Sequence, residues 1–294
     1  IYNCNTGNIK ITDGNISGET AIYNESIGKV EVSGGSVNAT GKGICNAKKG
    51  TIEVTGGNIE GAIFGIENHN QNYYEVSDVG VVNISGGIIQ SKYIGVYNAD
   101  NGIINLSGGN INVSGEGNSY TICGIRNYGS RGGNINITDV TISVSSASRP
   151  VYGIYIDNNS VLEIKGGNIS ANSNNANTAG IYTSSTKDLI IGEHDGNVSE
   201  SNPSIYGKSY GLRNEGKGNV YFYDGCITGC EEKSISGVVS NWEDDYNITK
   251  FKHGESEVNP VEEGYECSLL KKTYVVHVES TNKDYTTINA ALSE

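Results

Sequence analysis

The sequence predicts an all-β protein whose strands stack into a parallel β-helix. Two segments, GKVEVSGGSVNATGKGICN at 28–46 and GTIEVTGGNIEGAIFGIEN at 50–68, show the pattern that recurs along the chain. In it, apolar and polar residues alternate, and the apolar ones are mainly the β-branched Ile and Val that are typical of strands. The chain has 41 Gly but only 3 Pro, and no three-residue period, which excludes collagen.

Each repeat is predicted to contain three short strands, which we call the first, second and third strand. The first has the pattern apolar-x-apolar, the second follows the Gly-Gly turn, and the third ends in apolar-x-Asn. One repeat cannot bury three apolar faces alone, whereas stacked repeats bury them against each other. The expected inward residues of the first strand are Ile9/Ile11, Val30/Val32, Ile52/Val54, Val82/Ile84, Ile104/Leu106, Ile135/Ile137 and Leu162/Ile164. Those of the second are Ile16, Val37, Ile59, Ile89, Ile111, Ile142, Ile169, Val198 and Ile227. Those of the third are Ile1, Ile22, Ile44, Ile66, Val96, Ile125, Ile154, Ile181, Leu212 and Val238, which are 21 to 31 residues apart.

Two corner positions carry residues that suit turns. The first Gly of Gly-Gly is replaced by Asp13, Asp139 or Asp224 in three repeats, so we expect a left-handed backbone there. The Asn that ends the third strand is expected to form a ladder of side-chain hydrogen bonds along the stack. This ladder would contain Asn3, Asn24, Asn46, Asn68, Asn98, Asn127 and Asn214.

The repeat over about residues 1–240 resembles the right-handed parallel β-helix superfamily. Within it, the Gly-Gly-rich segments are similar to the "GIYN…ISGG" repeats of bacterial cell-surface proteins. The resemblance implies a right-handed helix of about ten coils. It implies little about activity, because the superfamily includes polysaccharide lyases, hydrolases, tailspikes and passive adhesins. The leucine-rich repeat and the calcium-binding nonapeptide are excluded, because their patterns are absent.

We expect two regions, a β-helix over 1–249 and an irregular segment over 250–294. The second is either a C-terminal cap or the start of a following domain, and the cap is the preferred interpretation. Within the helix, several repeats are lengthened by segments rich in Asn, Ser and Gly, which repeat proteins often place on a binding face. These insertions are 67–80, 113–122, 143–152, 170–179 and 199–210.

The composition restricts the partners. With 33 acidic and 20 basic residues the net charge is −13, which disfavours nucleic acid and anionic lipid. No window has the ~18 consecutive apolar residues of a membrane span, so membrane insertion is not expected. The six Cys form no CxxC pair, so we expect free thiols, or one disulfide among Cys226, Cys230 and Cys267, and neither a metal site nor a cofactor. We interpret the chain as a segment of a larger secreted protein, extracellular or at the cell surface.

No motif of an enzyme on this fold is present. The nearest catalytic candidates are Glu193, His194 and Asp195 in GEHDG, where the repeat is disturbed, and Asp157, which follows the interruption of the Asn ladder. A glycosidase needs two carboxyl groups ~5–10 Å apart. The alternative for the GEHDG segment is a bulged turn with solvated side chains, and for Asp157 a surface residue.

The residue between the apolar residue and the Asn of the third strand is expected to point outward. Along the stack these residues would form one stripe of Tyr and Arg side chains, suited to contact sugar rings and to bind carboxylates. The alternative is that stacked Tyr residues only stabilise the parallel strands. The predicted ligand-binding residues are Tyr23, Tyr97, Arg126, Tyr155, Tyr182 and Arg213.

These features favour a non-catalytic surface module, a rigid adhesin or spacer whose partner is a polysaccharide or a host or cell-surface glycan. Two alternatives stay open. One is a carbohydrate-active enzyme, a lyase or hydrolase with a divergent site, and the other is a purely structural stalk. Paired carboxylates beside a groove would favour the enzyme, and tyrosines that affect only stability would favour the stalk.

Overall fold

The protein is all-β, as the sequence predicts. The computed structural model describes residues 1–69, 80–99, 101–117, 120–129, 132–157, 159–229, 233–242, 246–251, 266–271, 276–278 and 283–285, and these contain no helix. The strands are β1 Tyr2–Asn3, β2 Ile9–Ile11, β3 Asn15–Asn24, β4 Lys29–Val32, β5 Ser36–Asn46, β6 Thr51–Val54, β7 Asn58–Gly61, β8 Phe64–Asn68, β9 Val81–Ser91 and β10 Ile94–Ala99. They continue with β11 Ile103–Ser114, β12 Ile122–Tyr128, β13 Asn134–Ser145, β14 Val151–Ile156, β15 Val161–Ile164, β16 Asn168–Asn172, β17 Ala179–Thr183, β18 Leu189–Ile191, β19 Ser204–Gly207 and β20 Tyr210–Asn214. The last are β21 Val220–Phe222, β22 Cys226–Gly229, β23 Lys233–Ser236, β24 Asn241–Trp242, β25 Tyr246–Phe251, β26 Glu266–Lys271, β27 Val276–Val278 and β28 Lys283–Tyr285.

From β1 to β24, equivalent strands of successive repeats pair in parallel. In the third strand of successive repeats, for example, β8 pairs with β10, β10 with β12, and β12 with β14. With the antiparallel β25 and β26 they form a sheet of 26 strands, and the parallel register keeps equivalent residues opposite each other through repeats of different length. Insertions therefore leave the stacking unchanged.

The interior is built mainly from four columns of apolar side chains, two from the first strand of the repeat and one each from the second and third. Nearly all are fully buried, and each such Ile or Val contributes about 1.5–3 kcal/mol relative to an exposed one. One first-strand column is Val30, Ile52, Val82, Ile104, Ile135, Leu162, Leu189 and Val220, and the other, two residues later in each strand, is Val32, Val54, Ile84, Leu106, Ile137, Ile164, Ile191 and Phe222. The second-strand column is Val37, Ile59, Ile89, Ile111, Ile142, Ile169, Ile205 and Ile227. The third-strand column is Ile22, Ile44, Ile66, Val96, Ile125, Ile154, Ile181, Leu212 and Ile235.

The predicted Asn ladder is confirmed from Asn3 to Asn127. Each Nδ2 donates to the Oδ1 of the next Asn, at 3.0 Å from Asn24 to Asn46 and 2.9 Å from Asn46 to Asn68. The same Nδ2 also donates to a Gly carbonyl that follows in its own repeat, as from Asn46 to Gly50 at 2.6 Å. Both donors and the acceptor of the buried amide are thereby used.

Beyond Asn127 the series of Asn–Asn hydrogen bonds ends. Ile156 lies in register with Asn127, and the Nδ2 of Asn127 donates instead to Ser160 Oγ. Asn214, the last predicted member, donates to the Gly218 carbonyl at 3.4 Å.

The prediction for the Gly-Gly turn is wrong by one residue. The positive φ lies at the second Gly, as at Gly35 (73°) and Gly57 (80°), and at Gly14 after Asp13 and Gly225 after Asp224. Where the first position is also Gly, the reason is close packing, because a Cβ at Gly56 would lie 2.5 Å from the Ser33 carbonyl oxygen of the preceding repeat.

Two predicted interior residues are also wrong. Ile205, not Val198, pairs with Ile169 in the second-strand column, so the predicted insertion 199–210 contains β19. Ile235, not Val238, pairs with Leu212, and Val238 is 77% exposed. Both errors fall where an irregular repeat offers two apolar residues of similar spacing.

The chain beyond the last repeats departs from the parallel pattern. β26 pairs antiparallel with β25 and, through Cys267 and Glu266, with Ile227 and Thr228 of β22. The edge of β22 that would otherwise accept another parallel strand is covered there. Most of 250–294 lies outside the described residues, so its assignment as a cap or as a second domain stays a prediction.

Replacing Asn98 by Ala tests the ladder. Three polar groups would each lose one hydrogen bond, namely one N–H of Asn68 Nδ2, the Oδ1 of Asn127 and the Gly102 carbonyl. Because each buried unsatisfied group costs about 1–3 kcal/mol, we expect Asn98→Ala to lower the free energy of unfolding by about 3–5 kcal/mol in urea denaturation. Asn105→Ala, in a partly exposed amide row, is the control and should lower it by less than about 1 kcal/mol. Equal losses would contradict the special role of the ladder.

Replacing Gly95 by Ala tests the close packing behind the third strand. The added Cβ would lie 2.3 Å from Ile111 Cγ2 and 2.6 Å from the Gly124 carbonyl oxygen. We expect a loss of about 1–3 kcal/mol from overpacking, measured by thermal or urea unfolding. Gly7→Ala, where the nearest atom is 3.5 Å away, should be close to neutral, and a neutral Gly95→Ala would contradict this account.

Candidate functional site

The outward residues of the third strands lie in one continuous column. Their register through the stack is confirmed, so that Tyr97 faces Arg126, Arg126 faces Tyr155, and Tyr155 faces Tyr182. The column, which we call the stripe, contains Tyr2, Tyr23, Cys45, Glu67, Tyr97, Arg126, Tyr155, Tyr182 and Arg213. The alignment of the six predicted ligand-binding residues is thus a fact, and their contact with a ligand stays a prediction.

Part of the stripe is buried rather than open to solvent, contrary to expectation. Cys45 is 2% exposed and Glu67 is 5% exposed. Glu67 Oε2 accepts a hydrogen bond from Cys45 Sγ at 3.0 Å and forms an ion pair with Lys42 Nζ at 2.5 Å. This polar contact stabilises a buried carboxylate and separates Tyr23 from the aromatic part of the stripe.

A second column that points away from the main apolar interior lies beside the stripe, and the sequence analysis missed it; its members Phe64, Ile94, Cys123 and Ala179 are nevertheless buried. It occupies the position three residues before each stripe residue, because the intervening Gly, for example Gly65, points inward against Ile89. Strict alternation would have placed the Gly itself outward, two residues before the stripe residue. The Gly that regularly precedes the apolar residue was the signal in the sequence that could have indicated this column. The column contains Thr20, Lys42, Phe64, Ile94, Cys123, Tyr152, Ala179 and Tyr210.

Four stripe residues form a stacked series that we call the Arg–Tyr ladder: Arg126, Tyr155, Tyr182 and Arg213. The rings of Tyr155 and Tyr182 stack with centroids 4.6 Å apart and planes at 21°. The guanidinium of Arg126 lies 5.2 Å from the Tyr155 ring, and that of Arg213 lies 5.8 Å from the Tyr182 ring. Aromatic pairs and cation–π contacts each contribute about 0.5–1.5 kcal/mol in such partly exposed sites.

Mutual stacking covers the ring faces of the ladder and leaves their edges and hydroxyls for other contacts. The hydroxyl of Tyr182 donates to Glu215 at 2.8 Å, and Arg213 Nε donates to the same carboxylate at 2.8 Å. Tyr182 and Arg213 therefore hold the pKa of Glu215 below its ordinary value. Burial, with a smaller effect from Asp157, raises the pKa of Tyr155 to about 12, so its hydroxyl stays protonated at neutral pH.

A cleft of about 390 Å³ opens beside the Arg126 end of the ladder. The stripe contributes Arg126 and Tyr155, and the second column contributes Tyr152. Its other lining residues are Tyr120, Thr121, Ile122, Arg149 and Pro150, which come from the predicted insertions 113–122 and 143–152 or flank them. The volume lies within the range of small-molecule sites in proteins.

A larger, shallow groove of about 800 Å³ lies on another face. Residues at and just after the ends of the second strands line it over successive repeats. The lining is small and polar, without an aromatic ring or an arginine, and the Ser91 Oγ is buried there without a hydrogen-bond partner among the described residues. Its lining residues are Ala39, Thr40, Glu60, Gly61, Ala62, Gln90, Ser91, Lys92, Asn112, Val113, Ser114, Ser143 and Ser145.

The catalytic candidates of the GEHDG segment lie in an exposed turn. Glu193 forms an ion pair with Lys165 at 2.7 Å, and His194 stacks on Tyr223 with centroids 4.6 Å apart. Asp195 Oδ1 accepts the Asn197 backbone N–H at 2.8 Å, as in an ordinary Asx turn. These contacts give each side chain a structural role, and the prediction of catalysis there is not tested by them.

Asp157, the fourth catalytic candidate, lies beside Arg126, which lines the cleft. Its Oδ2 lies 3.5 Å from Arg126 Nη2, and its side chain is 17% exposed. Burial raises the pKa of Asp157 above its ordinary value, and the neighbouring Arg126 opposes this shift. The carboxylate thus serves as the counter-ion of Arg126.

Comparisons of the chain with models of protein families, with curated protein sequences and with solved structures found no match. Within the described ranges, no three His, Cys, Asp or Glu side chains lie close enough to hold a metal ion. In the same ranges there is no helix with the length and apolar character needed to cross a membrane. Function is therefore inferred from the chemistry of the outer faces.

The buried thiols beside and within the stripe should resist alkylation. Burial, with the contact to Glu67, raises the pKa of Cys45 above its ordinary value, and burial raises that of Cys123 to about 12. Since the thiolate is the reactive form, iodoacetamide at pH 8 should label the exposed Cys4 and leave Cys45 and Cys123 unmodified until denaturant is added. Peptide mass mapping measures this, and rapid native labelling of Cys123 would contradict the packing of the second column.

Proposed function

We propose that the chain is a right-handed parallel β-helix of about ten coils that acts as a non-catalytic, extracellular or cell-surface module binding glycan. At ~4.8 Å per coil, ten coils would form a rod roughly 50 Å long. The parallel register of successive repeats and the four apolar columns support the helical stack. The glycan ligand is inferred from the face that carries the stripe.

The observation that carries the glycan proposal is the cleft at the end of the Arg–Tyr ladder. Three tyrosines and two arginines line it, and Arg126 is fixed between the rings of Tyr128 and Tyr155. Tyrosine combines an apolar ring with a polar hydroxyl at low entropic cost, and this is the combination that a sugar ring with its hydroxyl groups requires. Lining residues from insertions are also typical of binding sites on repeat proteins.

The manner of contact follows from the stacking of the ladder. Because Tyr155 and Tyr182 cover each other's faces, a polysaccharide along the stripe would meet ring edges and hydroxyls. In the cleft it would meet Tyr120, which is 39% exposed. We therefore place the main contact in the cleft and treat the remainder of the stripe as its supporting surface.

The stalk is the second candidate, and the same stacking favours it. Rings that contact each other between neighbouring repeats stabilise parallel strands without any ligand. The two candidates differ in the effect of removing a hydroxyl while the ring stays in place.

We expect the protein to be retained on one class in a panel of immobilised plant, microbial and mucin polysaccharides. Tyr155→Phe keeps the stacked ring and removes the hydroxyl, and Tyr155→Ala removes both. Retention should fall severalfold in Tyr155→Phe, by the loss of one hydrogen bond of about 0.5–1.5 kcal/mol, and further in Tyr155→Ala. Affinity electrophoresis measures the shift.

Tyr206→Phe is the matched control, because Tyr206 points outward from the second strand on a different face, in register with Ser170 and Thr228. Circular dichroism checks that each variant keeps its fold. Absence of retention on every polymer would contradict the glycan proposal and leave the stalk.

A further inference from the structure

The cleft contains a guanidinium group whose charge is not balanced. The two arginines that line it, Arg126 and Arg149, differ in their surroundings. Both have a buried Nε without a hydrogen-bond partner among the described residues. The presence or absence of a counter-ion at each guanidinium indicates the charge of a ligand that would bind there.

The charge of Arg126 is balanced by a neighbouring carboxylate, although its Nε has no hydrogen-bond partner among the described residues. Its Nη1 donates to Thr121 Oγ1 at 3.0 Å, and its Nη2 lies 3.5 Å from Asp157 Oδ2. Its plane also contacts the Tyr128 and Tyr155 rings. The charge of Arg126 is therefore neutralised, and its role is to shape the wall of the cleft.

Arg149 has no such counter-ion. Within the described part of the chain its guanidinium forms no ion pair. Its backbone is held on both sides, since its N–H donates to Ser146 Oγ at 3.0 Å and its carbonyl accepts from Ser173 Oγ at 2.6 Å. A partly buried, positioned cation without a partner is unfavourable in the free protein, and an anion that binds it relieves this cost.

The planar guanidinium matches a carboxylate best, through two parallel hydrogen bonds. The net charge of −13 repels polyanions in general, so an acidic polymer would be held by this local contact and not by the overall field. Tyr120 and Tyr152, which line the same cleft, supply hydroxyls for the remainder of a sugar ring.

We propose that the cleft selects an acidic sugar, with Arg149 binding its carboxylate. This inference rests on the proposed glycan-binding function and names its ligand class. Arg126, held by Asp157, keeps the Tyr155 ring in position beside the bound sugar. A sulfate ester presents a related anion, and the experiment below separates the two.

The test uses alginate, hyaluronate and polygalacturonate, each beside its carboxyl-reduced derivative, with dextran and dextran sulfate. We expect the whole chain to bind at least one carboxylated polymer and to bind its reduced form far more weakly. Arg149→Gln should weaken that binding roughly tenfold to a hundredfold, by the loss of a charged hydrogen-bonded contact. Lys187→Gln, which removes one exposed charge elsewhere, is the matched control and should bind as the wild type does.

The outcomes separate this inference from the proposed function. Equal binding of a polymer and its carboxyl-reduced form, unaffected by Arg149→Gln but weakened by Tyr155→Ala, overturns the acidic-sugar assignment and keeps glycan binding. Binding of dextran sulfate alone overturns the carboxylate assignment. Binding of no polymer overturns both proposals. Near-UV circular dichroism of Arg149→Gln confirms that any loss is not a loss of fold.

Discussion

The buried Asn ladder is the interaction on which the remainder of the structure depends. Each amide uses two donors and one acceptor, so a repeat shifted by one residue would leave buried polar groups unpaired in two neighbouring repeats. The ladder therefore fixes the register of the third strands from β1 to β12. The apolar columns alone would tolerate substitution between Ile, Val and Leu, and they specify the register less strictly.

The fixed register also determines the outer face. From Tyr2 to Arg126, the Asn that follows each stripe residue takes part in the ladder, and the stripe residues lie opposite each other. Beyond Asn127, Ile156 and Thr183 occupy the Asn position, and the parallel pairing of the third strands alone brings Tyr155 and Tyr182 to stacking distance, with Arg126 and Arg213 at the two ends of the pair. The positions of the candidate binding side chains are thus set by the register of the third strands.

Much of this could be predicted from the sequence, because its signals are local and repeated. The alternation of Ile and Val predicted the three strands, and the period of the repeat predicted the alignment of the stripe.

The positive φ was assigned to the wrong Gly, because both residues of the pair are usually Gly and only Asp13 and Asp224 distinguish them. The second column was missed because the inward Gly65 and its equivalents interrupt the alternation. Arg149 could not be linked to the cleft, since it comes from an insertion outside the repeat. Burial of Glu67 depended on Lys42, which lies one repeat earlier.

One detail of the Asn ladder separates the length of a repeat from its geometry. Asn46 bonds the carbonyl of Gly50, four residues later, whereas Asn68 bonds that of Gly80, twelve residues later, and both take the same place in the ladder. The hydrogen bond joins the two ends of the segment between the third strand and the next first strand, whatever the length of that segment. Segments at this corner can therefore be exchanged, lengthened or shortened with little effect on the frame. A protein of this design can acquire new surface loops, and with them new specificities, while its scaffold stays the same.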